Sequence, residues 1–256
     1  MDWVQAAVLG TLQGFTEILP VSSSAHLVLL PWTLGWKYQG LAYDVALHWG
    51  TLLALGIHFG GQWWGILRAG LRRDGTAESR LFWGIAAGTI PAVVVGLALE
   101  HRVEALFHEP RRMAATLMIF GLILGLADRH GKRSKGLDAL GLRECLLIGM
   151  AQALALVPGV SRSGVTITAG LFLGVRREDA ARFSFLLAVP VVLGAGILKI
   201  PDVGGAISTG SFWIGIEAST AAGYAAIRFM LGYVRSRDMR VFVIYRLALG
   251  TLLLFQ

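Results

Sequence analysis

The sequence predicts an all-α integral membrane protein of about six transmembrane helices and two re-entrant helix pairs, arranged as an inverted repeat. Three observations predict it. First, the 256-residue chain is 55% hydrophobic and only 15% charged, with a mean hydropathy of +0.64, whereas a soluble chain carries about 25% charged residues. Second, two apolar stretches, 10–30 and 149–174, are each interrupted by a proline and a group of serines. Third, each of these stretches is followed by three long apolar segments. The 33 glycines suit closely packed membrane helices.

Residues 2–18 and 22–34 form the first broken pair. Pro20 stops the first helix, and each half is shorter than the roughly 20 apolar residues a crossing needs. A re-entrant hairpin follows, since irregular backbone at membrane depth is tolerated where protein or a wet cavity surrounds it. Spans are predicted at 41–67, 81–99 and 113–127. Trp63 and Trp64 sit near an end of the first, as interfacial anchors do, and Pro91 kinks the second. After a basic loop, 128–143, come the second broken pair, 144–157 and 161–174, and spans at 181–199, 212–231 and 239–255. Three spans separate the two pairs, so the second copy is inverted relative to the first. The pseudo-repeats are about 1–130 and 140–256 of a single polytopic domain.

The basic residues set the orientation. Loops on one side hold fifteen (Arg68, Arg72, Arg73, Arg80, Arg129, Lys132, Arg133, Lys135, Arg143, Arg176, Arg177, Arg182, Arg235, Arg237 and Arg240). The other side holds five: Lys37, Arg102, Arg111, Arg112 and Lys199. The first group is expected in the cytoplasm. The +7 charge is read as this asymmetry, and no nucleic-acid partner is expected. A single cysteine, Cys145, excludes an internal disulfide. No cleavable signal peptide is expected, because no basic region precedes the first apolar run, which leads into chemistry-bearing residues.

Those residues lie at the two breaks. Gln13 and Glu17 are four apart and share a helix face. Ser22, Ser23 and Ser24 follow Pro20 and are placed to cap a second helix. His26 returns to their side three residues after Ser23. The second stretch repeats this grammar: Gly149 and Gln152 match Gly10 and Gln13, Pro158 matches Pro20 with a one-residue slip, and Ser161-Arg162-Ser163 stands where Ser22-Ser23-Ser24 stood. One copy offers a carboxylate and an imidazole, the other a guanidinium, as complementary halves of one site would. Arg162 at bilayer depth costs roughly 2.5–3.5 kcal/mol and so needs an anion, either a phosphate gripped by its planar fork or Glu17. Glu17 reads as a ligand for a divalent cation, as a general base, or as the partner of Arg162. Ser23 reads as a nucleophile with His26 as its proton acceptor, or as a cap beside a packed histidine, and direct attack by His26 stays open. Asp44, His48 and His58 have no metal-triad spacing and read as packing or interfacial residues. Glu217 and Arg246, charged within spans, read as an ion pair by default, with a place beside a substrate channel as the alternative.

The motifs QGFTEILPVSSSAH and PGVSRSG resemble the two signature regions of the bacterial undecaprenyl-pyrophosphate phosphatases, the bacitracin-resistance family. The first is read as Gln13, Glu17, Pro20, Val21, Ser22, Ser23 and His26, the second as Pro158, Gly159, Ser161, Arg162, Ser163 and Gly164. The resemblance implies hydrolysis of undecaprenyl diphosphate to the monophosphate and phosphate, recycling the cell-wall carrier lipid and conferring bacitracin resistance. It implies Ser23, His26, Glu17 and Arg162 as catalytic residues. It further implies Gln13, Ser22, Ser24, Gly159, Ser161, Ser163 and Thr166, with Arg162, as substrate-binding residues, and magnesium or calcium held by Glu17. Gln13 takes the neutral option at its position and adds no second carboxylate. The implied partners are a polyprenyl diphosphate lipid and membrane lipid, with a homodimer allowed. The implied location is the bacterial inner (plasma) membrane, multi-pass, with the site facing the periplasm or cell exterior. A transporter or flippase for an anionic polyprenyl lipid shares the inverted repeat and remains an alternative. The Ser23–His26 pair favours an enzyme.

The charge asymmetry gives a test of orientation. With Cys145 replaced by Ala, a Cys at position 109 should be labelled by an impermeant thiol reagent on intact cells, and one at position 134 should be protected. The reverse pattern would invert the topology and turn the site to the cytoplasm.

Overall fold

The structure, a computed structural model, describes residues 2–107 and 109–254. The side chains of Glu100, His101, Arg102, Glu104–Phe107, Gly205 and Ala206 lie outside that description, so Arg102, one of the five basic residues assigned to the outer side, is not described. Eleven α-helices follow one another in the described chain: α1 Trp3–Ile18, α2 Ser23–Thr33, α3 Leu41–Arg72, α4 Ala77–Phe107, α5 Pro110–His130, α6 Leu142–Ala153, α7 Arg162–Phe172, α8 Arg177–Leu198, α9 Ile200–Val203, α10 Gly210–Ser236 and α11 Arg240–Leu254. Short 3₁₀ turns occupy Leu137–Ala139, Leu154–Leu156 and Gly204–Ser208. No strand occurs among the described residues.

Local chemistry sets the ends. The Asp2 carboxylate accepts from the N–H of Gln5 at 2.8 Å and caps α1. Glu144 reaches back to the N–H of Gly141 at 3.2 Å to open α6. Pro110 begins α5, where its missing N–H costs nothing. The chain breaks twice as predicted, after α1 and after α6. In the second break a 3₁₀ turn absorbs the residues that the sequence assigned to the helix up to 157.

Helices form at all six predicted spans, and three are long and apolar enough to cross a membrane: Ala77–Leu99 of α4, α5 and α8. The others carry more polarity or less length. α3 holds His48, His58 and Gln62, α10 holds Glu217 and Arg228, and α11 has 15 residues with Arg246 among them. Large apolar side chains face outward around the bundle, Ile57, Leu97, Ile119, Ile197, Phe229 and Leu252 among them, a surface suited to lipid rather than water. Inside, Phe183, Phe185, Leu186 and Leu187 of α8 pack with Phe59 and Ile66 of α3, Ile227 and Met230 of α10, Leu124 of α5 and Leu171 of α7.

The helices pair in a matched way. α1 lies along α10 and α6 along α4, while α3 meets α8 and α5 meets α11. Each of the first two pairs closes at a glycine-on-glycine contact. A Cβ on Gly10 would strike the carbonyl of Gly215, and a Cβ on Gly149 would strike the carbonyl of Gly88. Backbone cannot swing aside as a side chain can, and overpacking of this kind costs typically 1–3 kcal/mol. Gly10→Leu and Gly149→Leu should therefore each lower the thermal midpoint of the purified protein, by about 2–4 °C per kcal/mol for a chain of this size. Gly61→Leu, with open space around the glycine, should leave it unchanged.

Candidate functional site

The two breaks share one unusual geometry. Ser22 has φ 75° and ψ 97°, and Ser161 has φ 70° and ψ 114°. Left-handed backbone at a non-glycine residue costs about 1–3 kcal/mol, and it recurs at matched serines of the two motifs. The hydroxyls then diverge. Ser161 Oγ accepts from the N–H of Gly164 at 3.1 Å and caps α7 as expected. Ser22 makes no capping bond, and its hydroxyl lies 3.1 Å from Ser24 Oγ.

A break in an apolar bundle strands backbone carbonyls, which must find donors. Arg246 serves three of them, those of Pro20, Gly159 and Val160, and one carbonyl of α5. Fully buried, it donates from Nε to Leu117 O at 3.0 Å, from Nη1 to Pro20 O at 3.4 Å, and from Nη2 to Gly159 O and Val160 O, both at 3.0 Å. The expected Arg246–Glu217 ion pair does not form. Glu217 is exposed on α10, and the carbonyls of both breaks take the guanidinium instead. Further ties run between the breaks: Ser163 Oγ donates to Leu19 O at 3.1 Å, and the N–H of Gly159 to Ser24 Oγ at 3.4 Å. Thr116 Oγ1 donates to Pro158 O at 2.7 Å.

Between the breaks lies a cavity of about 260 Å³. At its wall Glu17, 7% exposed, accepts from three groups. Oε1 faces Arg162 Nη2 at 2.9 Å, and Oε2 accepts from Ser23 Oγ at 2.6 Å and faces His48 Nε2 at 3.2 Å. His48 Nδ1 lies 2.7 Å from the carbonyl of Asp44. Both its nitrogens thus face acceptors, which a doubly protonated ring satisfies. Arg162 Nη1 donates to Ser184 O at 3.0 Å, and its Nε, buried at the cavity, makes no hydrogen bond among the described residues.

Of the predicted site residues, Glu17, Ser22, Ser23, Ser24, Ser161 and Arg162 line this cavity, and Gln13, His26, Gly159, Ser163 and Thr166 do not. Ser163 and Gly159 tie the breaks together. A Cβ at Gly159, φ 90°, would collide with Thr116 and Met113 O. Thr166 Oγ1 donates to Ser184 Oγ at 2.7 Å and so steadies the segment that holds Arg162. Gln13 is fully buried on α1, and its amide makes no hydrogen bond among the described residues. The same is true of its counterpart Gln152, which does line the cavity.

The expected contact between Ser23 and His26 is not formed. His26 Nδ1 lies 2.7 Å from Ser22 O, and a carbonyl only accepts, so Nδ1 carries the proton. Nε2 lies 2.6 Å from the Tyr245 hydroxyl, with the two rings stacked 5.6 Å apart. The imidazole is turned toward α11, away from the serine. His48 and Asp44, read from sequence as packing residues, instead line the cavity. Their i, i+4 spacing on α3 was visible, but which way that helix face points was not. His58 packs against Phe59 and Tyr224 as expected.

Among the described residues no group of three or more His, Cys, Asp or Glu is placed to hold a metal ion. Glu17 and Asp44 nevertheless give hard oxygen donors on one cavity. That fits magnesium, which usually takes one or two carboxylates together with substrate phosphates rather than an all-protein cage.

A cavity at the junction of two broken helices, walled by a buried Glu17–Arg162 pair and set inside a bundle faced with apolar side chains, defines a helical membrane protein. The family model described as "Bacitracin resistance protein BacA" matches residues 6–252. The undecaprenyl-diphosphatase of Geobacter sulfurreducens is 49% identical over 259 residues, covering 98% of this chain and 96% of its own. Those of Elusimicrobium minutum and Pelotomaculum thermopropionicum are 46% and 45% identical, over 99% and 98% of this chain and 98% and 95% of their own. The chain belongs to the bacitracin-resistance BacA family.

The geometry separates the two histidines. His48→Gln removes a group that touches Glu17 at the cavity, and should lower kcat for phosphate release by roughly a hundredfold, the range of a positioned acid–base or electrostatic group. Tyr245→Phe removes only the far partner of His26 and should cost less than about tenfold, with some loss of thermal stability.

Proposed function

We propose that this protein hydrolyses undecaprenyl diphosphate to undecaprenyl phosphate and inorganic phosphate. The observation that carries the reading is the convergence of Ser23, Glu17 and Arg162 on one cavity, in a chain whose curated relatives are named for this activity. The terminal phosphoryl group seats against Arg162, whose Nε–H is free to donate to a phosphoryl oxygen. Ser23 Oγ attacks the terminal phosphorus, and its proton passes to Glu17 Oε2, 2.6 Å away. The bond from that phosphorus to the bridging oxygen breaks, and the electron pair leaves with undecaprenyl phosphate. Water then attacks the phosphoserine. Glu17 returns its proton to the Ser23 oxygen, and inorganic phosphate is released. Arg162 and the N-termini of α2 and α7 stabilise the negative charge as it moves.

Glu17 and Asp44 would hold a magnesium or calcium ion, which when bound supplies neutralisation of the diphosphate charge. Acid–base work falls to Glu17, which touches Ser23, and His26 keeps the break in shape. Six spans with two re-entrant pairs in inverted repeat remain the layout we favour, supported by the matched pairing of α1 with α10 and α6 with α4 and by the matched φ angles of Ser22 and Ser161. The prenyl tail lies among lipid while the diphosphate enters the cavity. In the plasma membrane, with the fifteen-residue basic side in the cytoplasm, the site opens outward, where the carrier lipid is released.

Purified protein given undecaprenyl diphosphate should release phosphate. Ser23→Ala should abolish turnover with binding within a few-fold, while Ser22→Ala and Ser24→Ala keep more activity; a fully active Ser23→Ala protein would require water to attack directly. Arg162→Lys keeps the charge and loses the fork, so kcat should fall at least about tenfold with the fold intact. Near-normal kcat in that variant would make Arg162 a counter-ion to Glu17 and nothing more. Chelation should stop hydrolysis, and added magnesium or calcium should restore it; full activity in chelator would remove the cation.

A further inference from the structure

A second cavity, of about 380 Å³, lies at the opposite end of the bundle. On α8 it reaches as far as Arg182, and the first cavity begins at Val191, nine residues or about 14 Å along the helix. Five arginines line it, Arg133, Arg176, Arg177, Arg182 and Arg235, with two carboxylates, Glu178 and Asp179.

The pairing among these groups is uneven. Arg235 takes Glu178 at 2.9 Å, and Arg176 takes Asp179 at 2.7 Å. Arg177 holds Asp128 through both its Nε, at 2.5 Å, and its Nη2, at 3.0 Å. Two guanidinium charges are left over. Arg133, in left-handed backbone at φ 51°, donates among the described residues only to the carbonyls of Asp128 and Gly131. Arg182 makes no hydrogen bond or ion pair among the described residues, and its Nε is buried without a partner.

The wall is rigid. Asp128 Oδ2 also accepts from the N–H of Met239 at 3.0 Å, which joins the ends of α5, α8 and α11. The loops 131–136 and 174–176 are laced by Lys135 N–H to Gly174 O and Arg176 N–H to Lys135 O, at 2.9 and 3.0 Å. A solvated charged face would let its arginines spread apart; here Arg133 and Arg182, neither with a carboxylate of its own among the described residues, line one space, and the nearby Glu178 is already paired with Arg235.

We infer that this cavity is a second phosphate-binding site, separate from the catalytic one, that takes a phosphate group on the forks of Arg182 and Arg133. Fork geometry matches phosphate oxygens in pairs, and the two unbalanced charges answer the charge of a phosphate monoester. A basic pocket between helix ends at a membrane surface suits the headgroup of an anionic phospholipid. Free phosphate carries the same chemistry.

The test uses the purified full-length protein. It is offered mixed micelles of phosphatidic acid and phosphatidylcholine, or inorganic phosphate alone; retained lipid is read by mass spectrometry and bound phosphate by equilibrium dialysis. Phosphatidic acid should be retained over phosphatidylcholine, and Arg182→Gln and Arg133→Gln should each lower retention about tenfold, with undecaprenyl diphosphate hydrolysis unchanged. Phosphate bound alone with the same dependence on Arg182, and no lipid retained, assigns the site to the free ion. Arg182→Lys keeps the charge, serves if the Gln variant does not fold, and should still lose retention several-fold. Binding that neither substitution changes, or no binding of either probe, overturns the site.

Discussion

Glu17 and Arg162 stand 145 residues apart in the chain and 2.9 Å apart in space, and each is tolerable in an apolar bundle only beside the other. Removing either charge alone would leave its partner buried and unpaired, a loss of about 3–5 kcal/mol. The pair therefore fixes the register of the two halves of the chain. It also fixes where chemistry can occur, because Ser23 and His48 reach the same carboxylate. Arg162 spends only two of its nitrogens on protein partners, Glu17 and the carbonyl of Ser184. A guanidinium has five donors, so the residue that closes the fold still has donors to offer a phosphate.

An ion pair at this depth needs broken helices, because an unbroken one would present neither free N–H groups nor a cavity. The breaks in turn need donors for their carbonyls. Arg246, His26, Ser163 and Thr116 provide them. Arg246 is buried more completely than Arg162, yet it has no carboxylate partner among the described residues and does not line the cavity. Four carbonyl dipoles carry its charge. Depth alone therefore does not mark a residue as functional. The distinction lies in whether donors remain unspent and face a cavity.

Much of this was legible in the sequence, and what was not has a physical cause. Prolines and serine clusters located both breaks, since they act on the local backbone. The matching of Gln13 with Gln152 and of Ser22 with Ser161 was visible as spacing. The partners of Arg246 were not, because carbonyls have no signature in a sequence and a charged residue invites a charged partner. His26 was expected on Ser23 from a separation of three residues, but ring rotation is decided by α11, 219 residues away, through Tyr245. His48 was missed for the converse reason: its partner Glu17 sits on another helix, and a lone histidine four residues after an aspartate looks like ordinary packing. Hydropathy located all six long helices, but polar residues and the shortness of α11 left only three that length and composition alone mark as crossing a membrane.

The two breaks also explain how one backbone device serves two chemical ends. Ser22 and Ser161 adopt the same left-handed conformation, and the residue after each is the first of a helix. In one copy that residue is Ser23, whose hydroxyl is held by a carboxylate; in the other it is Arg162, whose guanidinium is held by the same carboxylate. The nucleophile and the phosphate clamp proposed above thus occupy matched backbone slots, presented from two helix N-termini across one cavity. Each N-terminus adds its own positive potential toward an anion between them, and a site enclosed by apolar helices screens that potential less than water would. Small changes at one slot divide the labour: a hydroxyl can attack but not neutralise, and a guanidinium can neutralise but not attack. In the proposed reaction an anion bound between them meets both at once, and the carboxylate that holds the two slots together already accepts from the serine hydroxyl.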